Sequence, residues 1–367
     1  MSTPAPINRQ WLLARTPPGP MPVAQDFRLV EAPIPEPGPG QILARAIYLS
    51  MDPYQWLRRR TGVERPGDVC HGRAVSQVVA SRMPGLAEGD FVFNPGGWQS
   101  HALAGANTDV FGYMHLRRID PAQAPISTAV GVLGMLGLTA YAGVRVQCQP
   151  RSGETLVVSA ASGGVGQIAG QIGRILGCRV VGIAGAQDKC DFVTGVLGFD
   201  ACVSYKRADF PDALRAACPE GIDVYFENVG GAVFEAVLPL LNRGARISLC
   251  GLLANYGDDL GEDIQEAWMR RGQPVFERRQ VRASKLHVGN FVDRWQAPFL
   301  ETMAGWIRDG RVKYRESLWR GIEQAPEAFR AMLNGENFGK TLVQIGADPT
   351  LDAATAARRA GGNVLGD

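Results

Sequence analysis

The stretch TLVVSAASGGVG, Thr155 to Gly166, decides the fold of this 367-residue chain. Its first half is an uncharged run of mainly apolar residues, which predicts a fully buried strand. Gly163 and Gly166 then indicate a turn, and apolar residues recur at helical spacing from Val165 onwards. The stretch therefore predicts a strand, a tight turn and a helix in direct succession, the opening of a β-α-β unit.

Strand and helix patterns keep alternating after this unit. Helical patterns such as 232–241 separate four further apolar runs, which we predict to be strands: Arg179–Ala184, Asp200–Tyr205, Ile222–Phe226 and Arg246–Cys250. Apolar strands that alternate with helices indicate a parallel sheet covered by helices on both faces. We therefore expect an α/β fold with a doubly wound parallel sheet in this part of the chain.

The first 125 residues have a different pattern of predicted elements. Short β-type runs at 41–48, 74–79 and 90–93 are separated by clusters of Gly and Pro. Frequent short strands with dense turns are typical of a barrel or a sandwich. A run at 340–345 also has a strand pattern, and we expect it to return to this first domain.

The C-terminal part contains two further helical patterns. One runs from Trp295 to about Arg308, and the other covers Pro326–Leu333. The last stretch, 348–367, is rich in Ala, Gly and Arg. We expect this tail to be poorly ordered.

Composition excludes several classes of protein. The chain is 46% apolar with a net charge of +2, so it can form a large core and has no basic excess for binding nucleic acid. The one dense basic run, Arg58–Arg60, is expected to be solvated surface. No apolar stretch reaches the roughly 18 residues that cross a membrane, and the seven scattered cysteines form no Cys-x-x-Cys pair. We expect free thiols and a cytoplasmic protein without nucleic-acid or membrane partners.

The turn between the first strand and helix has the glycine spacing of a phosphate-binding loop. Gly163 leaves room for a pyrophosphate to approach the backbone, and Gly166 lets the helix pack closely on the strand. The N–H groups and the dipole at the helix N-terminus favour a bound anion. Ala161 stands where the first Gly of the motif is usual. We predict a dinucleotide site here, against the alternative of a tight structural turn without a ligand.

The second strand bears on which dinucleotide is bound. An NAD site usually carries Asp or Glu at the end of this strand, where it binds the ribose 2′-hydroxyl. Here the strand ends in Gly185-Ala186, and the cation Lys189 follows. A 2′-phosphate needs space and positive charge, which favours NADP(H). Two alternatives stay open on spacing alone: Lys189 is a solvated helix residue, or Asp188 takes the acidic role and favours NAD.

Cys70-His71-Gly72 superficially resembles part of a zinc site. No Glu follows His71, the sequence has no four-cysteine lobe, and its four histidines show no ligand spacing. We therefore expect no metal.

Several motifs together resemble one known family. The sequence is similar to the zinc-independent medium-chain dehydrogenase/reductases, in the branch of prostaglandin/leukotriene reductases, alkenal double-bond reductases and bacterial NADPH-dependent curcumin reductases. The resemblance covers about residues 7–347. Its markers are Asn8–Trp11, Leu49–Tyr54, Gly134–Tyr141, Tyr225–Gly231, Cys250–Leu252 and Asn337–Lys340.

The resemblance implies a division into domains. A GroES-like β-barrel domain would be built from residues 1–130 and 310–347, and a Rossmann domain that binds NADP(H) from residues 131–309. Residues 348–367 would form an extension outside the match. A homodimer is also implied.

The resemblance further implies roles for individual residues. The pyrophosphate would lie on the turn that ends at Gly166, and Lys189 and Tyr205 match the residues that contact the 2′-phosphate, which favours NADP(H) further. Tyr54 and Tyr256 match tyrosines that line the substrate cleft. The implied cofactor contacts are Gly163, Gly164, Val165, Gly166, Lys189, Tyr205, Asn228, Cys250, Gly251, Leu252, Tyr256, Phe291 and Asn337.

The sequence departs from the family in segments that border the substrate cleft. Leu136 stands where Pro is usual, and the arm 55–60 is not the usual one. Asn255–Gly289 bears little likeness to the Pro-rich loop that the family has in this place. The identity of the substrate is therefore not carried over.

The implied reaction reduces a carbon–carbon double bond conjugated to a carbonyl. Hydride from NADPH would reach the β-carbon, and a neutral tyrosine donor would stabilise the charge that develops on the carbonyl oxygen. Tyr256 is the first candidate for this catalytic role and Tyr54 the second, while the α-carbon proton would come from water or a tyrosine. Two alternatives are an NADPH quinone oxidoreductase of the same superfamily and a non-catalytic NADPH-binding protein.

Overall fold

The computed structural model describes residues 7–108, 115–258, 261–359 and 362–366. The chain divides into two compact units. The first unit consists of Met1–Val130, Glu316–Asn337 and Thr341–Val364, and the second of Gly131–Arg315, Phe338–Lys340 and Leu365–Asp367. The later division falls after Arg315, and the one that the resemblance implies falls after residue 309.

A six-stranded parallel sheet forms the centre of the second unit. Its strands are β8 (Thr155–Ser159), β9 (Arg179–Ala184), β10 (Ala201–Ser204), β11 (Ile222–Glu227), β12 (Leu241–Leu249) and β13 (Arg282–Lys285). The spatial order is β10-β9-β8-β11-β12-β13. Counted from β8 this is the order 3-2-1-4-5-6 of a doubly wound dinucleotide-binding fold, so the predicted fold class is confirmed.

Helices alternate with these strands. The helices of the second unit are α2 (Met135–Tyr141), α3 (Gly166–Ile175), α4 (Gln187–Gly195), α5 (Phe210–Ala217), α6 (Gly231–Val237), α7 (Ile264–Arg279) and α8 (Gly289–Arg308). A π-helix, Ala142–Cys148, continues α2. All five residues of β8 are buried, as the uncharged run predicted, because β9 pairs on one side and β11 on the other.

Two of these helices differ from the sequence prediction. Helix α8 begins at Gly289, six residues before the predicted start at Trp295. Helix α7 lies in the segment that bears little likeness to the Pro-rich loop of the family, and the Asp263 carboxylate caps it by accepting from the N–H groups of Gln265 and Glu266. Each of these two helices contains a proline, Pro274 in α7 and Pro298 in α8, which is unusual in a helix interior. Both helices were therefore difficult to predict from the sequence pattern.

The first unit is mainly antiparallel β-structure. Its strands are β1 (Ile7–Leu13), β2 (Phe27–Pro33), β3 (Gln41–Ser50), β4 (Ala74–Ser81), β5 (Phe91–Asn94), β6 (His101–Gly105), β7 (Arg117–Ile119), β14 (Tyr314–Arg320), β15 (Lys340–Gln344) and β16 (Asn363–Gly366). The order in the larger sheet is β16-β14-β15-β3-β4-β5-β7, and β6 pairs with β3. Strand β15 returns to β3, with Val343 opposite Leu49. The helices are α1 (Tyr54–Arg60), α9 (Ala325–Leu333) and α10 (Ala353–Arg359).

The basic run on α1 is not wholly solvated, contrary to expectation. Arg59 is fully buried, and its Nε lies 3.1 Å from Oε1 of the buried Glu64. The guanidinium also lies over the rings of Trp98 and Phe329, at 4.3 and 4.8 Å from their centroids. An ion partner and aromatic faces together replace the water that this cation gives up.

The C-terminal tail carries α10 and β16, although its composition predicted poor order. Two buried polar contacts in the first unit hold this segment. The Tyr48 hydroxyl donates to Oδ2 of Asp348 at 2.7 Å, and Nη1 of Arg359 donates to Oγ of Ser127 at 3.1 Å. Across the described ranges of the chain, no helix combines the length and apolarity that crossing a membrane requires.

Candidate functional site

The glycine turn of the second unit is built on a close approach between helix and strand. Helix α3 begins at Gly166, where a Cβ atom would lie 2.2 Å from the backbone oxygen of Ala160. Ala160 itself adopts a positive φ of 49°, and its oxygen accepts a hydrogen bond from the Gly163 N–H at 2.9 Å. The chain therefore reverses tightly between β8 and α3, and only a glycine fits at the first position of the helix.

A second segment borders the same turn. The Gly339 N–H donates to the oxygen of Ser162 at 2.7 Å. A Cβ atom on Gly164 would lie 2.4 Å from Cδ2 of Leu136, the residue that stands where the family has Pro. The space over Gly164 is thus set by a flexible side chain, whereas the space at Gly166 is set by backbone.

This turn stands at the carboxyl end of β8, where the strand order of the sheet reverses. Dinucleotides bind at this point of doubly wound sheets, with the pyrophosphate at the helix N-terminus. In the first turn of α3 the N–H groups of Gln167 and Ile168 donate to the oxygens of Gly163 and Val165, both at 3.1 Å, and the helix dipole adds partial positive charge at this end. The residues present therefore fit a dinucleotide.

The residues predicted to contact a 2′-phosphate lie at the ends of the next two strands. Tyr205 follows β10, is 45% exposed and has its hydroxyl 3.3 Å from where a Cβ of Gly185 would lie. Nζ of Lys189, in the first turn of α4, lies 5.3 Å from the centroid of the Phe338 ring. The Tyr205 phenol thus borders Gly185, the residue that follows β9, and the Lys189 ammonium group lies over the Phe338 ring.

Arg315 is a residue at this end of the sheet that the sequence analysis missed. Its Cζ lies 4.2 Å from the centroid of the same Phe338 ring, so two cations contact one aromatic side chain. Burial lowers the pKa of Arg315, and the charge of Asp188 opposes that shift. Asp188 is exposed, and its Oδ1 accepts from the N–H of Lys189 at 2.8 Å. Arg315 follows Lys189 by more than a hundred residues, so no local spacing could reveal it.

A buried carboxylate organises the carboxyl ends of β8 and β11. Oε1 of Glu227 accepts from the Ser159 hydroxyl at 2.9 Å and from the N–H groups of Val229 and Gly230 at 2.8 and 3.1 Å. Oε2 accepts from Nε1 of Trp268 on α7 at 3.3 Å. Burial raises the pKa of Glu227, and the two backbone donors oppose this effect.

Asn228, one of the predicted cofactor contacts, belongs to the same network. Its N–H donates to Oγ of Ser159 and its side-chain amide donates to the oxygen of Ser159, both at 2.7 Å. Sequence spacing did not identify Ser159 or Glu227 as positioning residues. Their positions at two strand ends become adjacent only when β8 and β11 pair.

The predicted contacts from Cys250 to Tyr256 follow β12 and pack beside Asn228. The Cys250 N–H donates to the oxygen of Glu227 at 2.9 Å, and the Leu253 N–H donates to that of Asn228 at 3.1 Å. The Tyr256 hydroxyl lies 3.3 Å from where a Cβ of Gly251 would be. Burial raises the pKa of Tyr256 to about 12, so its phenol stays protonated at physiological pH. Burial likewise raises the pKa of the Cys250 thiol to about 12, which does not suit a nucleophile.

Three further residues were predicted to contact the cofactor or the substrate. Phe291 is half-buried in the first turn of α8. Asn337 and Tyr54 belong to the first unit.

Tyr54 begins α1 and pairs with a histidine that the sequence analysis considered only as a metal ligand. The Tyr54 hydroxyl lies 2.9 Å from Nε2 of His71. Burial, followed by the charges of Arg58 and Arg73, lowers the pKa of His71 to about 3. The ring is therefore neutral at physiological pH, and the direction of its hydrogen bond to Tyr54 depends on the tautomer.

The described part of the chain has no cluster of three or more His, Cys, Asp or Glu side chains that could hold a metal ion. Burial raises the pKa of Cys70, the neighbour of His71, to about 12. The absence of a metal remains an expectation from the sequence.

Comparison with known proteins relates both units to oxidoreductases. The family of the N-terminal domain of oxidoreductase matches residues 9–111, and the zinc-binding dehydrogenase family matches residues 164–303. The NADPH-dependent curcumin reductase of Escherichia coli is 42% identical over 93% of this chain and 98% of that protein. The NADP(+)-dependent 2-alkenal reductase of Nicotiana tabacum is 35% identical over 86% of this chain and 90% of that protein.

A solved structure shares the fold along nearly its whole length. CurA from Vibrio vulnificus in complex with NADPH has a TM-score of 0.84 and 40% identity, and the match covers 93% of this chain and 100% of that one.

The glycine turn makes a first testable prediction. In Gly166→Ala the added methyl group would meet the Ala160 oxygen, so α3 must shift and the Kd for NADPH should rise about tenfold or more. Fluorescence titration with NADPH measures this, and circular dichroism verifies folding. Gly195→Ala is the matched control because a Cβ there has no atom within 4 Å. An unchanged Kd in Gly166→Ala would contradict the assigned role.

The lowered pKa of His71 makes a prediction about stability. Folded protein keeps His71 neutral down to about pH 3, whereas the unfolded chain takes up a proton near pH 6.5. Unfolding therefore binds a proton between these values, and the free energy of unfolding falls with pH below about 6.5, by at most about 1.4 kcal/mol per pH unit. Urea unfolding at about pH 7 and 5 should show a smaller loss for His71→Gln than for the natural protein. Equal losses would rule out the neutral buried histidine.

Proposed function

This chain belongs to the medium-chain dehydrogenase/reductases, in the branch that contains the curcumin and 2-alkenal reductases, and on that premise we propose that it reduces the carbon–carbon double bond of α,β-unsaturated aldehydes or ketones. It is an NADP(H)-dependent oxidoreductase. The observation that carries the proposal is full-length similarity to reductases of this kind, together with a glycine turn that fits a dinucleotide.

Several residues of the second unit would hold the cofactor in this proposal. The turn around Gly164 would bind the pyrophosphate, while Lys189 and Tyr205, with Arg315 as a third group, would bind the 2′-phosphate. Asn228, held by Ser159, would contact the nucleotide from the neighbouring strand end. Bound NADPH supplies the hydride for the β-carbon of the substrate.

The role of the chain in the chemical step is to stabilise developing charge. As the β-carbon is reduced, negative charge develops on the carbonyl oxygen, and a fixed neutral donor lowers the energy of that state. Tyr256 is suited to this role because its raised pKa keeps the phenol protonated. Fixed groups from the segment 250–256 would also orient the substrate and exclude water.

Tyr54 is the second proposed catalytic tyrosine. If Nε2 of His71 carries the proton, it donates to the Tyr54 oxygen, and the Tyr54 hydroxyl is then directed to another acceptor. That acceptor would be the carbonyl oxygen of the substrate, and after hydride addition the hydroxyl proton could pass to the α-carbon of the enolate. The α-carbon proton comes either from this hydroxyl or from water.

A substrate panel tests the proposed function. Rates of NADPH oxidation with an enal, an enone and a naphthoquinone should favour the first two. A preference for the naphthoquinone would support a quinone oxidoreductase, and NADPH binding without oxidation by any of the three would support a non-catalytic protein. Cytoplasmic location and a homodimer stay predictions from the sequence.

Tyr256→Phe tests the oxyanion role. Loss of the hydroxyl should lower kcat about 10- to 100-fold on an enone, because one donor contributes a few kcal/mol at most. Tyr141→Phe is the control, since Tyr141 is buried against the rings of Phe299 and Trp295. Steady-state kinetics distinguishes the two variants, and an unaltered kcat in Tyr256→Phe would exclude the assignment.

Lys189→Ala tests the cofactor preference. Without this cation, the affinity for NADPH should fall about tenfold while that for NADH changes little, because only NADPH carries the 2′-phosphate. Lys189→Arg should keep most of the preference, and Arg215→Ala, on the exposed face of α5, controls for net charge. If the ratio of the two affinities is the same in Lys189→Ala as in the natural protein, the assignment of Lys189 is wrong.

A further inference from the structure

Two cysteines of the second unit lie in direct contact. Cys190 is on α4 and Cys202 is on β10, and their sulfur atoms are 3.0 Å apart, with Cys202 donating to Cys190. The two thiols come from separate elements, so their contact depends on the packing of α4 on β10. Sequence spacing gave no sign of this pair, because twelve residues separate them.

One of the two cysteines is partly exposed. Cys190 is buried, but Cys202 is half-buried and lines an open surface pocket of about 460 Å³. Gln187, Ser204 and Arg207 are among the other residues that line this pocket. We therefore expect a small polar oxidant that enters this pocket to reach the pair by way of Cys202.

The hydrogen bond makes the two thiols unequal. The donated proton of Cys202 lowers the pKa of the Cys190 thiol, and the same interaction raises the pKa of Cys202. The pair therefore loses a first proton more readily than an isolated buried thiol would. Thiolate character favours oxidation of cysteine.

We propose that Cys190 and Cys202 form a reversible disulfide when a small hydroperoxide enters this pocket, and that the disulfide weakens binding of NADP(H). With hydrogen peroxide, one sulfur attacks a peroxide oxygen and the O–O bond breaks. The products of this step are a sulfenic acid and one molecule of water. The second sulfur attacks the first, the S–O bond breaks, and a second water leaves. Two thiols are oxidised by two electrons, and one peroxide is reduced to two waters.

The connection to the cofactor comes from the neighbours of the pair. Lys189 directly precedes Cys190, and Tyr205 lies three residues after Cys202. This part of the inference rests on the proposed 2′-phosphate contacts. A disulfide would bring the two sulfurs closer by about 1 Å, which draws α4 and β10 together and displaces Lys189 relative to Tyr205. By reciprocity, bound NADPH disfavours the disulfide by the same factor.

Mass spectrometry of the full-length protein tests whether the disulfide forms. The sequence has no Lys or Arg between Cys190 and Lys206, so trypsin releases both cysteines in one peptide. After treatment with hydrogen peroxide, this peptide should lose two hydrogen atoms and resist alkylation, and dithiothreitol should restore it. Further cleavage after Phe192 and Phe199 should leave two fragments joined only in the oxidised sample. Formation of this link only in denaturant, or not at all, would overturn the proposal.

Fluorescence titration of the same samples tests the coupling. The Kd for NADPH should rise at least about fivefold on oxidation, which is the lower end of usual coupling between sites, and should return with dithiothreitol. Cys202→Ser and Cys190→Ser should bind NADPH normally and not respond to peroxide, whereas Cys178→Ser should respond as the natural protein does. Thermal unfolding followed by circular dichroism verifies that each variant is folded.

The outcomes separate this inference from the proposed function. Oxidised protein with an unchanged Kd would refute the coupling, and a peroxide response that persists in both pair variants would refute the site. No enone enters either measurement. A protein that binds NADPH and forms the link, but reduces no enone, would leave this inference intact and refute only the proposed reaction.

Discussion

The contact between the first residue of α3 and the backbone oxygen of Ala160 is the constraint on which the nucleotide end of the second unit depends. A Cβ at Gly166 would lie 2.2 Å from that oxygen, so the helix can start this close to β8 only with glycine. Because α3 starts there, its N-terminal N–H groups lie at the point where the strand order reverses. The lack of a side chain at Gly166 therefore sets how closely α3 packs on β8 and where the proposed phosphate site lies.

The sequence predicted the elements whose signals are local. The buried strand at Thr155–Ser159 and the strand Arg179–Ala184 were placed to within one residue, because apolar runs bounded by glycine or charge have few alternatives. Family motifs supplied the residues of the cofactor segment. Helix α7 was not predicted, because Pro274 interrupts it and its many charged residues weaken the apolar periodicity that indicates a helix.

Contacts between distant parts of the chain could not be predicted. Arg59 was expected to be solvated, yet Trp98 and Phe329 enclose it from positions far along the sequence. The pairing of Tyr54 with His71 depends in the same way on how α1 packs. Arg315 and the Cys190–Cys202 contact likewise arise from packing. No pattern within a window of residues carries such information, since each depends on which elements become neighbours.

The carboxylate of Glu227 has a consequence for the dynamics of the second unit. A single side chain accepts from the end of β8, from the loop after β11 and from Trp268 on α7. None of these segments can detach alone without leaving a buried acceptor short of a donor, which is energetically costly. Amide hydrogens in the three segments should therefore exchange with deuterium together, as one cooperative unit. The carboxyl ends of β8 and β11 would then open together with α7, the helix in the segment that bears little likeness to the Pro-rich loop of the family.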